Sequence, residues 1–232
     1  MGLAGIAVTT TSANAAYFSP LTGYTQQDLN NAIQNGSFVE DFNVSSYIGD
    51  DGIAAYELEL KDIVPPDNVE SLLSEQFLWE NNQQVDFELS FDGTTLSYTV
   101  GDKVLQSVDV LDSDFDINGM LLSANSTANS SATLSNLMFD DGSMSMEDLI
   151  SDGGDIDFLK ITGLDNNFRL SGTQTFAWNG ERPKDFELAY QIRVGSFNDP
   201  VVASDLGLEV PEPRTISLLS LGAIALFIKR RR

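Results

Sequence analysis

The feature that most constrains this chain is a strict two-residue alternation of apolar and polar side chains, broken by Asp-Gly and Gly-Asp pairs. Val85-Asp86-Phe87-Glu88-Leu89-Ser90-Phe91 alternates and stops at Asp92-Gly93; Leu96-Ser97-Tyr98-Thr99-Val100 alternates and stops at Gly101-Asp102; Val104–Val110 follows. Side chains of a strand point to opposite faces in turn, so this spacing buries one face and wets the other, and such dipeptide breaks are strong hairpin signals. A three-strand meander over 85–110 is therefore predicted. The same period recurs in Tyr56–Leu60, Phe168–Leu170 and Phe186–Val194. About ten such runs predict an all-β body, a single antiparallel β-sandwich of jelly-roll-like type with one face of each sheet solvated.

Helix signals are scarce. Thr25 before Gln26-Gln27-Asp28-Leu29, with Ile33 four residues on and Gly36 closing, predicts a short capped helix. Glu70–Leu78 after Pro65-Pro66 is a second helix candidate, and the Ser/Asn/Ala run Ser123–Ala132 reads as a surface loop.

Composition then removes whole classes of chemistry. The 232 residues contain no His and no Cys, against 35 Asp+Glu and 12 Lys+Arg. Without His there is no Ser-His-Asp relay, and without Cys no thiolate nucleophile, disulfide or thiolate zinc site. The formal charge of −23 excludes a nucleic-acid backbone as partner. The acids lie between Asp28 and Glu212, while Arg214 and Lys229-Arg230-Arg231-Arg232 follow the last of them. Residues 16–213 thus hold seven bases against 35 acids, a formal −28.

Both ends read as export signals. Leu3–Val8 is apolar, and Ala13-Asn14-Ala15 puts small residues at −3 and −1 of a cut before Ala16. Residues 1–15 are accordingly a signal-peptide remnant lacking the usual basic leader, 16–198 the body and 199–213 a linker. Near the other end, Val210-Pro211-Glu212-Pro213-Arg214 precedes the uncharged stretch Thr215–Ile228 and the basic cluster Lys229–Arg232. Fourteen helical residues span about 21 Å at ~1.5 Å each, short of a ~30 Å hydrocarbon core. Snorkelling of Arg214 and the terminal bases lengthens the effective span, so 214–232 is expected to be a single transmembrane helix with a basic cytoplasmic tail.

The order Pro-Glu-Pro, apolar helix, Arg-rich end resembles the PEP-CTERM sorting signal of Gram-negative bacteria. The resemblance implies that a membrane-embedded exosortase recognises the region of Pro211, Glu212 and Pro213, and that the protein reaches the cell surface or the exopolysaccharide matrix. The body resembles, through Leu78-Trp79-Glu80-Asn81, Phe91-Asp92-Gly93 and Trp178-Asn179-Gly180, the extracellular β domains grouped as choice-of-anchor families, type W among them. That likeness supplies no catalytic residue.

Three constellations remain as chemistry. Asp114-Phe115-Asp116-Ile117-Asn118-Gly119 matches the opening of a calcium loop, to which Asp112 could add a ligand; a plain hairpin with Asn118-Gly119 as a type I′ turn is the simpler account and the one expected. Asp152-Gly153-Gly154-Asp155-Ile156-Asp157 and Asp140-Asp141-Gly142 raise the same question more weakly. Glu57-x-Glu59 and Asp86-x-Glu88 each place two acids on one strand face, the pairing a glycosidase needs. With 35 acids such pairs arise by chance, and a wet sheet face accounts for them. Expected function is therefore non-catalytic: a structural or adhesive β-sandwich with no cofactor other than a possible calcium ion. The alternatives are a calcium-assisted polysaccharide-binding module and a two-carboxylate glycoside hydrolase, the latter with Trp79 or Trp178 stacking on sugar.

Overall fold

A computed structural model describes residues 16–49, 57–64, 68–107, 117–140, 144–164, 167–184 and 188–198. These form strands β1 (Tyr17–Pro20), β2 (Phe38–Tyr47), β3 (Leu58–Val64), β4 (Asn68–Glu75), β5 (Gln84–Phe91), β6 (Leu96–Val100) and β7 (Lys103–Ser107), with helix α1 (Gln26–Gln34) between the first two. There follow β8 (Gly119–Asn125), β9 (Ser130–Phe139), β10 (Met144–Ser145), β11 (Leu149–Asp152), β12 (Ile156–Thr162), β13 (Phe168–Trp178) and β14 (Ala189–Phe197). One antiparallel sheet runs β1-β12-β8-β14-β2-β3-β4; the other runs β10-β9-β13-β5-β6-β7, with β11 also paired to β9. The fold is all-β and sandwich-like, and residues from both sheets enter one apolar core.

The meander stands where alternation put it as far as Ser107; residues 108–110 of the expected third strand lie outside the described residues. Leu89 pairs with Tyr98 and Tyr98 with Leu105, so the inward sides of β5, β6 and β7 stay in register. Helix α1 also forms as its caps predict. Thr25 accepts from the Asp28 N–H at 3.2 Å while Asp28 accepts from the Thr25 N–H at 2.9 Å, and Gly36 takes φ +75° beyond the C-cap Asn35. Leu29 is the fully buried residue of this helix; it seats the helix on Phe38, Leu121 and Phe158 on the outer side of the first sheet. Thr25→Ala is expected to lower stability by about 1 kcal/mol, readable as a shift in urea midpoint at constant slope.

Three expectations fail for identifiable reasons. The second helix is absent: residues 68–75 form β4, paired antiparallel to β3 with Leu60 opposite Leu73. Pairing to a neighbouring strand overrides a weak helical preference. Ser123–Ala132 is not a surface loop, because β8 runs to Asn125 and β9 begins at Ser130, leaving a tight turn between them. Ser123, Ser126, Ser130 and Ala132 are all buried, and β8, covered on both faces, shows no alternation to betray it. Nor does Asn118-Gly119 form a type I′ turn. Gly119 starts β8, opposite Thr162 on one side and Gly195 on the other, and its φ is not positive. A Cβ there would lie 2.5 Å from the Phe197 ring and 2.8 Å from the Ile161 carbonyl oxygen, so close approach, not a turn, requires glycine. Gly195 has the same role at the β14–β2 bulge, where a Cβ would stand 3.0 Å from Glu40 Cα.

The two sheets are joined by aromatic and polar contacts across the core. Phe176 of β13 stacks on Tyr190 of β14 at 4.4 Å between centroids, and Trp79 meets Phe176 edge-on at 4.8 Å. The Tyr98 hydroxyl receives a hydrogen bond from Gln174 Nε2 at 2.8 Å and lies 2.7 Å from the Ser46 hydroxyl of the facing sheet. The Tyr190 hydroxyl sits between the Thr133 and Thr175 carbonyls and accepts from the Thr175 N–H at 3.3 Å. Each buried phenol is thus satisfied by a partner from the opposite sheet, which fixes how the sheets face one another.

Candidate functional site

Ala16 is the one predicted export residue inside the described fold. It is 9 % exposed and packs into the shared core immediately before β1. Ala13 and Ala15 lie outside the described residues, as do Val210, Pro211, Glu212, Pro213, Arg214, Lys229, Arg230, Arg231 and Arg232. Among the described residues no helix is long and apolar enough to cross a membrane; the 215–228 stretch is not among them.

Of the calcium candidates, Asp112, Asp114 and Asp116 also lie outside the described residues, whereas Asn118 is placed. Its amide makes a two-way clamp on β14: Nδ2 donates to the Phe197 carbonyl at 3.2 Å and Oδ1 accepts from the Phe197 N–H at 2.8 Å. Its backbone carbonyl accepts from Gly163 and Leu164, so Asn118 ties the start of β8 to both neighbouring strands. The Asp152–Asp157 segment carries the chain from β11 in one sheet to β12 in the other. Gly153 and Gly154 take φ of +70° and +96°, and Ser126 receives the Gly154 N–H at 3.2 Å. Burial, then the charge of Asp155, pushes the Asp157 carboxyl above its ordinary range. Among the described residues no group of three or more acids is arranged to hold a metal ion.

The two carboxylate pairs separate in kind. Asp86 and Glu88 do lie on the outward side of β5, each with a partner on β13: Thr173 donates to Asp86 at 3.0 Å, and Arg169 meets Glu88 at 2.5 Å. With Thr99, Asn136, Ser171 and Gly172 they line a shallow groove of about 420 Å³. Glu57 departs from the expected wet face. It precedes β3, is 5 % exposed, and accepts from Arg182 Nη2 at 2.6 Å. The N–H groups of Gly49 and Trp79 also favour its ionised form, yet burial outweighs them and raises its pKa. Glu59 instead faces Lys61 at 2.8 Å and the Tyr47 hydroxyl, whose pKa is driven up by burial and by the nearby carboxylates.

Two further side chains, Arg193 and Asn81, organise the packing through long-range contacts. Arg193 of β14 holds both oxygens of Glu40 at 2.8 and 2.6 Å through Nη1 while Nη2 donates to Gln191, a half-buried ion pair on the outer side of the first sheet. Asn81 joins the two Trp segments: Nδ2 donates to the Trp178 carbonyl and Oδ1 accepts from the Trp178 N–H, both at 2.9 Å. Trp79 is buried between Phe77 and Phe176, with the former 4.6 Å away, so its ring serves the core and offers no face to a sugar. Trp178 is half-buried against the same core.

No protein-family model matches this chain, and none of the curated proteins matches it.

Proposed function

We propose that this chain is an exported bacterial surface or extracellular-matrix protein, sorted through a C-terminal signal of PEP-CTERM type, whose jelly-roll-like body is structural or adhesive and not catalytic. The observation that carries the reading is the ordered run Val210-Pro211-Glu212-Pro213-Arg214, the uncharged Thr215–Ile228 and Lys229–Arg232. An apolar segment between bases suits a bilayer, with the basic end held on the cytoplasmic side and the acidic body outside. The partners are then a membrane-embedded exosortase-type processing enzyme, the bilayer itself before processing, and exopolysaccharide around the released body.

The described fold supports this division. Every strand of both sheets pairs between Tyr17 and Phe197, and the shared core is built from residues between Ala16 and Val194. Of the acids considered for catalysis, Asp86 and Glu88 contact Thr173 and Arg169 of the neighbouring β13, Glu59 contacts Lys61 of its own strand, and Glu57 contacts Arg182 of the segment after β13. A formal −28 over residues 16–213 keeps such a body soluble and repels anionic lipid.

Intact-mass measurement of the protein recovered from its native host tests the reading. The expected species has lost residues after the Pro-Glu-Pro region and is found outside the cytoplasm. An unprocessed chain carrying Lys229–Arg232 in the cytoplasm would refute it.

A further inference from the structure

We infer that the shallow groove on the outer face of the second sheet binds a neutral, hydroxyl-rich glycan chain through Asp86, Glu88, Thr99, Asn136 and Ser171. The inference deepens the proposed function by giving its polysaccharide partner a site. It rests on that reading for the source of the glycan, and on the groove alone for the chemistry.

Strand period and register build the groove. The inward residues of β5, β6 and β13 are buried, which leaves Asp86, Glu88, Thr99, Ser171 and Thr173 on the outer face. Ser171 pairs with Glu88 and Glu88 with Thr99, while Thr173 pairs with Asp86 one step along. Neighbouring strands lie about 4.8 Å apart, so these short polar side chains form a grid at roughly that spacing. The register of β13 on β9 shifts between Ser171 and Thr173. At Gly172, between them, a Cβ would stand 2.9 Å from both the Phe87 ring and the Ser135 carbonyl oxygen, so glycine lets the bulged strands close on the core beneath the groove. Asn136, at φ +52°, lies exposed on one rim, and the lining ends at Gly101, where no side chain walls it off.

The hydrogen-bonding capacity left over selects a ligand. Thr173 donates to one oxygen of Asp86 and Arg169 to one oxygen of Glu88, so the second oxygen of each carboxylate has no partner among the described residues. The side chains of Thr99, Asn136 and Ser171 likewise make no hydrogen bond to a described residue. Two acceptors thus stand among two hydroxyls and an amide that both donate and accept. The vicinal hydroxyls of a sugar meet that pattern, since each can donate to a carboxylate and accept from a neighbour. Other ligands fit poorly. Asp86 and Glu88 against Arg169 leave a formal −1 in a body at −28, which repels acidic glycans and phosphates. An apolar partner finds no grip, because Phe87, the aromatic residue of the lining, is 3 % exposed. A calcium ion wants six or more oxygens, and one of the two carboxylates here is already held by Arg169. A groove of about 420 Å³ that is shallow suits a chain laid across the sheet, not a small molecule enclosed on all sides.

The test measures glycan binding by the full chain, kept in a detergent without a sugar headgroup. Its mobility is followed in gels containing dextran, mannan or galactan, all neutral, and in gels containing alginate, which is acidic, each with EDTA and with calcium. At least one neutral glycan should retard the protein equally in EDTA and in calcium, and alginate should not. Thr99→Val removes a hydroxyl and keeps the side chain's shape; Asn136→Gly removes an amide and keeps the positive φ. Each should weaken the binding about tenfold with an unchanged urea midpoint. Ser171→Leu, which fills the groove, should abolish it. Failure of every neutral glycan to retard the wild type, retardation that needs calcium or favours alginate, or binding undiminished in these variants would overturn the assignment. A protein found unprocessed in the cytoplasm would remove the export reading and with it the matrix as the glycan's source, while the gels still decide whether the groove binds one.

Discussion

Raising the pH from 10 to 12 is expected to strip this fold of much of its stability, well before any backbone chemistry intervenes. Burial pushes the Tyr98 phenol up to about 12 from 10.0, against the opposing hydrogen bonds of Ser46 and Gln174. The unfolded chain ionises Tyr98 near pH 10 while the folded chain keeps the proton. The stabilisation is complete below that pH and is lost as pH climbs through about 12. One phenol contributes about 1.4 kcal/mol per pH unit across that window, so a loss on the order of 3 kcal/mol is at stake for Tyr98. Tyr190, buried in the core, and Tyr47, beside Glu59, are shifted the same way by burial and add to the fall. Urea midpoints measured at half-unit steps should drop steeply from pH 10, with phenolate absorbance rising in the unfolding transition and not ahead of it. Tyr98→Phe separates this effect from lysine titration. Leaving Ser46 and Gln174 without their phenol lowers stability at neutral pH by about 1–3 kcal/mol, yet flattens the alkaline decline. A decline equally steep in that variant would show that Tyr98 is not its source.

The same buried phenols mark where sequence reading reached its limit. Tyr98 is legible as inward-facing from the alternation of Leu96, Tyr98 and Val100, and the meander that holds it follows from Asp92-Gly93 and Gly101-Asp102. Its partners are not legible, because Ser46 and Gln174 lie 52 and 76 residues away and join it only when two sheets face each other. Strand β8 fails for the opposite reason. Gly119–Asn125 is buried on both faces, so the period of two that reveals β5 is missing. The capped helix at Thr25 could be read because its signals are all local, within twelve residues. Gly119 reads in sequence as a loop or turn glycine, yet glycine signals a close approach as well, and only the Phe197 ring and the Ile161 carbonyl in the fold separate the two.

For the candidate site the division is similar. The outward pair Asp86 and Glu88 follows from strand period alone, but the Glu57–Arg182 and Glu40–Arg193 ion pairs join residues 125 and 153 positions apart, which no local pattern announces. In both pairs the carboxylate is the more deeply buried partner: the Glu57 and Glu40 side chains are each 7 % exposed, against 21 % for Arg182 and 16 % for Arg193. A chain without cysteine has no disulfide to brace it, so ion pairs between distant segments and interlocked phenols help to fix the packing.

Arg182→Ala is expected to be the most damaging single change among these charged residues, lowering stability by about 3–5 kcal/mol at pH 7. The Glu57 side chain is 7 % exposed and that of Arg182 21 %, so removing the guanidinium leaves a carboxylate that water reaches poorly. That carboxylate also draws on the N–H groups of Gly49, at the end of β2, and Trp79, ahead of β5, so the defect spreads to the segments that seat Trp79 on Phe176. Burial already raises the Glu57 pKa with Arg182 present. Without the arginine it rises further, the folded state takes up the proton more readily than the unfolded one, and stability is regained as pH falls through the raised value. The damage should therefore shrink on acidification, while an uncharged Glu57→Gln/Arg182→Ala double variant should show no such recovery. Urea midpoints of the wild type, both single variants and the double variant at pH 7 and pH 5 measure the coupling and its pH dependence together. A loss for Arg182→Ala that is below about 1 kcal/mol, or that is the same at both pH values, would place the pair in the category of solvated surface bridges and remove it as a brace of the fold.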